Sequence, residues 1–286
     1  MREAYGPGVL SEDAGSAVGS DEGGCDYSVR MGPVRSELMW QAVVDAVQIA
    51  GDGAPLDILD LGGGTGGDAV RLAQLGHRVT VVDPSPDALA SLHRRGVESG
   101  LAAPVTGVLG DASDLSDHVA AASFDLVVCH GVLEHVDDPA EALSTVATVL
   151  RPAGHVSVMV AGRNAAVAAR ALAGDFVTAQ TLLARTSDAW NLRTMGPRRF
   201  VRDEVEALLA GVGFSTVRSQ GVRVFADLVP SAIVDTEPGA RDALFALEQI
   251  LRTSSDFTGL SAGLHTIARL DLTSASPDPG GKSATL

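Results

Sequence analysis

Residues 56–84 read LDILDLGGGTGGDAVRLAQLGHRVTVVDP, and this stretch decides the fold. The apolar run at 57–61 predicts a short buried strand. A glycine loop follows at 62–67, then helical spacing at 68–75, then a second apolar run at 79–82 that ends on Asp83. Glycines let the backbone turn tightly and come close to a ligand, and the helix N-terminus behind them offers unpaired N–H groups. An acid at the end of the second strand has two oxygens to offer a ribose diol. Together these features describe a site for a nucleoside cofactor. Gly62, Gly64 and Gly67 also satisfy G-x-G-x-x-G. The loop alone therefore does not separate a dinucleotide from other nucleoside cofactors.

Working outward, a helical stripe with Leu38, Met39, Val43 and Val47 covers 35–49, with Trp40 read as core packing. Downstream come a helix at 86–99, a strand at 105–109 and the polar turn Gly110-Asp111-Ala112-Ser113. FDLVVCH at 124–130 is mostly apolar, as expected of a central parallel strand covered on both faces. A helix at 139–150 is expected to stop at Arg151-Pro152-Ala153-Gly154, ahead of a fifth strand at 155–160. This strict alternation predicts an α/β fold with a doubly wound parallel sheet. Beyond it, 162–199 reads as two helical segments with a polar connection, and 201–211 and 240–252 read as helices. Strands are expected at 214–225, broken near 219–221, and at 264–270. Residues 1–30 and 273–286 have the composition of disordered tails, the first of them acidic.

At 286 residues with 45% hydrophobic content, the chain is long enough for one large α/β domain. No apolar run reaches the roughly 18 residues that span a bilayer, and the first residues lack the pattern of a secretory signal. Two cysteines, Cys25 and Cys129, make no disulfide framework, so a cytoplasmic enzyme is expected. The net charge of −15 weighs against a broad nucleic-acid surface. Locally the sign reverses, with seven arginines against four acids between 185 and 223. Glu134 and His135 are adjacent and cannot share a helix face as metal ligands at i,i+4 do, so no metal is expected. A short-chain dehydrogenase needs Tyr-x-x-x-Lys. The only tyrosines here are Tyr5 and Tyr27 and the only lysine is Lys282, which speaks against an NAD-dependent oxidoreductase.

LDLGGGTGG at 59–67, VVDPSPDAL at 81–89, GDASDL at 110–115, and FDLVVCHGVLEHVDDPAEAL through VLRPAGHVSVMV at 124–160 resemble the class I S-adenosylmethionine-dependent methyltransferases in order and spacing. GPVRSELMW (32–40), LAGDF (172–176), GVRVFADL (221–228) and LHTIAR (264–269) resemble a narrower group, the bacterial methyltransferases of tRNA 5-carboxymethoxyuridine. The resemblance implies a seven-stranded sheet in the order 3-2-1-4-5-7-6 with the last strand antiparallel. It implies one methyltransferase domain over 31–272, in which the helical insertion at 161–200 caps the acceptor side. S-adenosylmethionine is the implied cofactor, with contacts from Arg35, Gly62, Gly63, Asp83, Ala112, Ser113 and His130. Gly64 belongs to the same loop, and Asp111 suits the adenine amino group.

Arg35 would pair with the methionyl carboxylate and His130 would face the methionine end of the cofactor. The implied acceptor is a carboxylate, such as 5-carboxymethoxyuridine in tRNA; a small carboxylate-bearing molecule is the other candidate. Arg202, Arg223 and Asn164 are the expected acceptor contacts. A carboxylate acceptor is ionised at neutral pH and needs no base, so no catalytic residue is assigned. A phenol, amine or carbon acceptor would need one, and His130 is then the nearest candidate. A small-molecule O-methyltransferase and a non-catalytic cofactor-binding protein remain as alternatives.

Overall fold

The computed structural model describes residues 34–186 and 189–271. The acidic N-terminal stretch at 1–30, the tail at 273–286, Cys25, Tyr5, Tyr27 and Lys282 lie outside them. In chain order the first half runs α1 (Val34–Gly51), β1 (Asp57–Leu61), α2 (Gly67–Gln74), β2 (Arg78–Asp83), α3 (Pro86–Glu98), β3 (Val105–Leu109), α4 (Leu115–His118), β4 (Phe124–His130) and α5 (Pro139–Val149). The second half runs β5 (Leu150–Ala161), α6 (Arg163–Leu172), α7 (Phe176–Leu183), α8 (Leu192–Met195), α9 (Arg202–Gly211), β6 (Phe214–Val222), α10 (Ser231–Thr236), α11 (Ala240–Leu251), α12 (Ser255–Thr258) and β7 (Gly263–Leu270). The strands form one sheet in the order β3-β2-β1-β4-β5-β7-β6. The first five pair in parallel, and β7 runs antiparallel to both β5 and β6.

The central strands show why the pattern folds this way. Side chains alternate across a strand, so each buried strand must serve two cores. Ile58, Leu126 and Val128 face Trp40, Val43 and Ala46 of α1 and Leu72 of α2. Leu59, Leu61, Val127 and Cys129 face the opposite side, with Leu143 and Val146 of α5 and Val205 and Leu209 of α9. Trp40 also carries the Arg71 guanidinium 3.8 Å above its ring, which ties α1 to α2.

Three boundaries differ from the sequence expectation. α5 ends at Val149, and 151–154 belong to β5 rather than to a turn. Leu150 is already extended at ψ 141° and pairs with Phe124, so the proline sits near the start of a strand with an irregular register. β6 is unbroken at 219–221: Ser219, Gln220 and Gly221 pair with Thr266, His265 and Leu264, and the register shift lies between Thr216 and Arg218. The stretch at 162–199 holds three helices, α6 to α8, not two. α8 is four residues long, as are α4 and α12, too short to leave a periodic signal.

Candidate cofactor and acceptor site

Strand order reverses between β1 and β4, and ligands of such sheets bind at the carboxyl ends of the strands there. A cleft of about 580 Å³ lies at that place, walled by the loops after β1 to β4 through Gly62, Asp83, Asp111, Ala112, Ser113 and Gly131. Gly62 sits at φ +74° and donates its N–H to Val82 O at 2.7 Å. A Cβ there would lie 2.8 Å from Val132 Cγ2, and one on Gly63 would overlap the Asp60 carboxyl. Both glycines therefore keep the loop low against the sheet.

Asp83 is buried, with Oδ2 accepting the Gly64 N–H and Oδ1 accepting the Ser85 N–H, both at 2.9 Å. Two backbone donors thus fix a carboxylate at the strand end, and each oxygen keeps a lone pair for a ligand. Asp111 is fixed in the same manner. Its Oδ1 accepts the Ser113 N–H at 2.7 Å and the Ser113 hydroxyl at 2.6 Å, while its own N–H goes to Asp114 Oδ1 at 2.7 Å. Apolar walls from Leu61, Val82, Val132 and Ala112 complete a slot with acids at defined points.

Two acids in this region carry roles the sequence did not suggest. Asp60, under the glycine loop, is buried; desolvation, with Asp68 and Asp83 adding, pushes its pKa up to about 7. Glu134 Oε1 accepts the Ala161 N–H at 2.7 Å and so ties the loop after β4 to the end of β5. Arg198 fastens the same loop, donating from its guanidinium to Val136 O at 2.8 Å and Asp137 O at 3.2 Å. Among the described residues no group of three His, Cys, Asp or Glu side chains could hold a metal ion.

Residues 59–158 match a family model described as a methyltransferase domain. The tRNA 5-carboxymethoxyuridine methyltransferase of Escherichia coli K12 is 28% identical over 247 residues, covering 85% of this chain and 90% of that one. The matched domain and this relative make the chain an S-adenosylmethionine-dependent methyltransferase. Shorter similarity links this methyltransferase to the ubiquinone biosynthesis O-methyltransferase of Cupriavidus pinatubonensis, at 33% identity over 46% of this chain and 51% of that one. Its fold matches the crystal structure of an S-adenosylmethionine-dependent methyltransferase from Mesorhizobium loti, with a TM-score of 0.56, 21% identity and coverage of 82% and 99%.

The methyltransferase has a second cavity of about 390 Å³, lined by Arg170, Arg199, Arg223, Asp227 and an alanine face of α6. Arg223 sits at φ +61° and reaches Asp227 Oδ2 at 3.2 Å, while its Nε is buried without a hydrogen-bond partner. Arg35 approaches Asp227 from the other side, with Nε 2.8 Å from Oδ1. Burial lowers the Arg199 pKa, opposed by Glu134 and reinforced by Arg170, and among the described residues no hydrogen bond or ion pair engages its guanidinium.

The sequence candidates therefore separate into groups. Gly62, Asp83, Asp111, Ala112 and Ser113 line the cleft; Gly63 and Gly64 shape its loop. Arg35 meets Arg223 at Asp227, by the second cavity. His130 ends β4 just before the cleft-lining Gly131, and its Nε2 lies 2.8 Å from Ser157 Oγ. Arg202 does not join Arg223: its guanidinium donates to Thr258 Oγ1 on α12, and it does not line the cavity. Asn164 sits in the first turn of α6, near Gly259, and lines neither cavity. Arg170 and Arg199 were not singled out in the sequence. Arg199 falls within the arginine-rich stretch, yet only the approach of α6 to the segment after β6 distinguishes it from its neighbours.

Proposed function

We propose that this methyltransferase binds S-adenosylmethionine in the larger cleft and transfers its methyl group to a carboxylate held by the arginine cavity. The observation that carries this reading is the cavity itself, with three arginines against one carboxylate and the Arg199 guanidinium without a hydrogen bond or ion pair among the described residues. The cleft suits the cofactor: Asp83 fits the ribose hydroxyls, Asp111, Ala112 and Ser113 the adenine end, and the glycine loop lets the ligand lie against backbone. When bound, the cofactor supplies an activated methyl on a sulfonium. The chain's own residues align the acceptor and exclude water, which is what in-line displacement requires of a protein. An ionised carboxylate attacks without a base. Planar guanidinium groups suit its two oxygens. α6 would form the acceptor-side wall of the 161–200 insertion.

The Escherichia coli relative acts on tRNA 5-carboxymethoxyuridine, and its similarity spans most of both chains. We infer the same acceptor class here, in the cytoplasm, with the base carboxylate in the arginine cavity. The net charge of −15 favours a second reading, a small carboxylate-bearing metabolite. Calorimetry with S-adenosylhomocysteine tests the cofactor, and Asp83→Ala is expected to weaken it by about 1.5–3 kcal/mol. Incubation with S-adenosylmethionine and tRNA carrying 5-carboxymethoxyuridine is expected to yield a base-labile methyl ester. Arg199→Ala should raise the acceptor KM about tenfold while cofactor affinity stays unchanged. No ester on that tRNA, with turnover of small carboxylic acids, would favour the metabolite.

A further inference from the structure

A chain of five polar side chains crosses the sheet from α1 to the end of β4, and its direction can be read atom by atom. Asp45 on α1 is ion-paired with Arg252, so its carboxylate is an acceptor. Gln220 on β6 places one nitrogen, Nε2, 2.9 Å from Asp45 Oδ2 and 2.9 Å from His265 Nδ1. That atom must be the amide nitrogen, because an amide oxygen would face a carboxylate oxygen. It therefore donates in both directions, and His265 Nδ1 accepts. Burial, with His130 and the Arg252 and Arg218 charges adding, holds the His265 pKa well down, so the ring is neutral and its one proton sits on Nε2. That nitrogen is 2.8 Å from Ser157 Oγ and donates to it. Ser157 is fully buried and makes one other hydrogen bond among the described residues, to His130 Nε2 at 2.8 Å. Among the described residues the hydroxyl proton has no other acceptor, so it goes there.

We infer that this relay, Asp45–Gln220–His265–Ser157–His130, locks His130 with its proton on Nδ1 and presents it to the site as a hydrogen-bond donor to a carboxylate. His130 keeps partial exposure, and its Nδ1 has no partner among the described residues and is not one of the buried atoms lacking one. Gly131, the next residue, lines the cleft. A neutral ring whose free nitrogen carries the proton cannot take one from a phenol or amine, so His130 is not a general base. It suits an acceptor that arrives ionised. Ser157, His265 and Gln220 are positioning residues, acting through His130 alone. The proton's place stands independently of the proposed reaction; only the identity of the carboxylate, cofactor tail or methyl acceptor, rests on the methyl-transfer reading.

Nitrogen-15 NMR of histidine-labelled full-length protein distinguishes the two ring tautomers directly. The wild type is expected to show His130 protonated at Nδ1 and His265 at Nε2, unchanged from pH 6 to 9. Ser157→Ala removes the donor to His130 Nε2, so that resonance should lose its fixed tautomer while His265 keeps its own. A wild-type His130 protonated at Nε2 would overturn the inference outright, whether or not Ser157→Ala folds. Titration then identifies the partner. A shift of the Nδ1 proton with S-adenosylhomocysteine, absent with its decarboxylated analogue, assigns the cofactor carboxylate. A shift only with the nucleoside 5-carboxymethoxyuridine, cofactor product present, assigns the acceptor. No shift with either overturns the donor role. Failure of methyl transfer with the Nδ1 tautomer intact would instead count against the proposed reaction alone.

Discussion

Asp60 lies beneath the glycine loop with 7% of its surface exposed and a pKa of about 7, against 3.8 for an ordinary aspartate. The folded state therefore holds a proton that the unfolded chain has lost. Between about pH 4 and 7 the unfolded state binds fewer protons, so stability falls as pH rises, and the loss is complete above 7. At 1.36 kcal/mol per unit, the whole effect is at most ~4 kcal/mol. Asp60→Asn keeps the shape of the protonated acid without the titration. Its unfolding free energy, measured by denaturant between pH 5 and 8, is expected to be nearly flat where the wild type declines. A wild type with equal stability at both ends would refute the raised pKa. Asp60 lies one residue before the end of β1 and Asp83 ends the neighbouring β2, yet only Asp83 was singled out as a candidate in the sequence, because ribose recognition calls for an acid at a strand end. The burial of Asp60 depends on how Gly63 and Val81 close over it, which spacing along the chain does not encode. Arg199 was hidden for a related reason: its partners in the cavity come from α6 and from the segment after β6.

At the scale of elements, α6 and α9 are joined by a buried ion pair, Arg163 Nη2 to Glu204 Oε1 at 2.8 Å. Glu204 also accepts the Val201 N–H at 3.0 Å, so one side chain both ends the preceding loop and holds the α6 helix. Glu204→Ala leaves Arg163 buried without its counter-charge, and removal of one partner from such a pair costs about 3–5 kcal/mol. Thermal unfolding should show the loss, and acceptor KM should rise with it because α6 walls the arginine cavity. A variant of wild-type stability would place the pair in solvent. The long elements, α1 to α3 with β1, β2 and β4, were readable because each repeats its apolar spacing over a full face. α10 and α12 were not: six and four residues give no period, and tertiary contacts hold them. The start of β5 misled for another reason. Pro152 and Gly154 carry turn chemistry, and pairing of Leu150 with Phe124 overrides it.

At the scale of the molecule, the charge of −15 and the arginine cavity set opposite demands on an RNA partner. With roughly three phosphates engaged, activity on tRNA below saturation should fall about 20–40-fold between 50 and 200 mM salt; a small carboxylic acid should change far less. A flat response on tRNA would mean that the base carboxylate alone is recognised. The order of the sheet has a consequence for the chain during its synthesis. Among the described residues β6 has no hydrogen-bonded neighbouring strand except β7, and His265, which completes the polar relay, lies on β7 as well. Domains emerge N-terminus first, at about 5–20 residues per second. On a ribosome, then, β1 to β5 can pair as they appear, while β6 waits as an unpaired edge for the residues beyond 262. The larger cleft, built from the loops after β1 to β4, has all its walls by then, whereas β6 and the relay behind His130 still await a strand not yet translated.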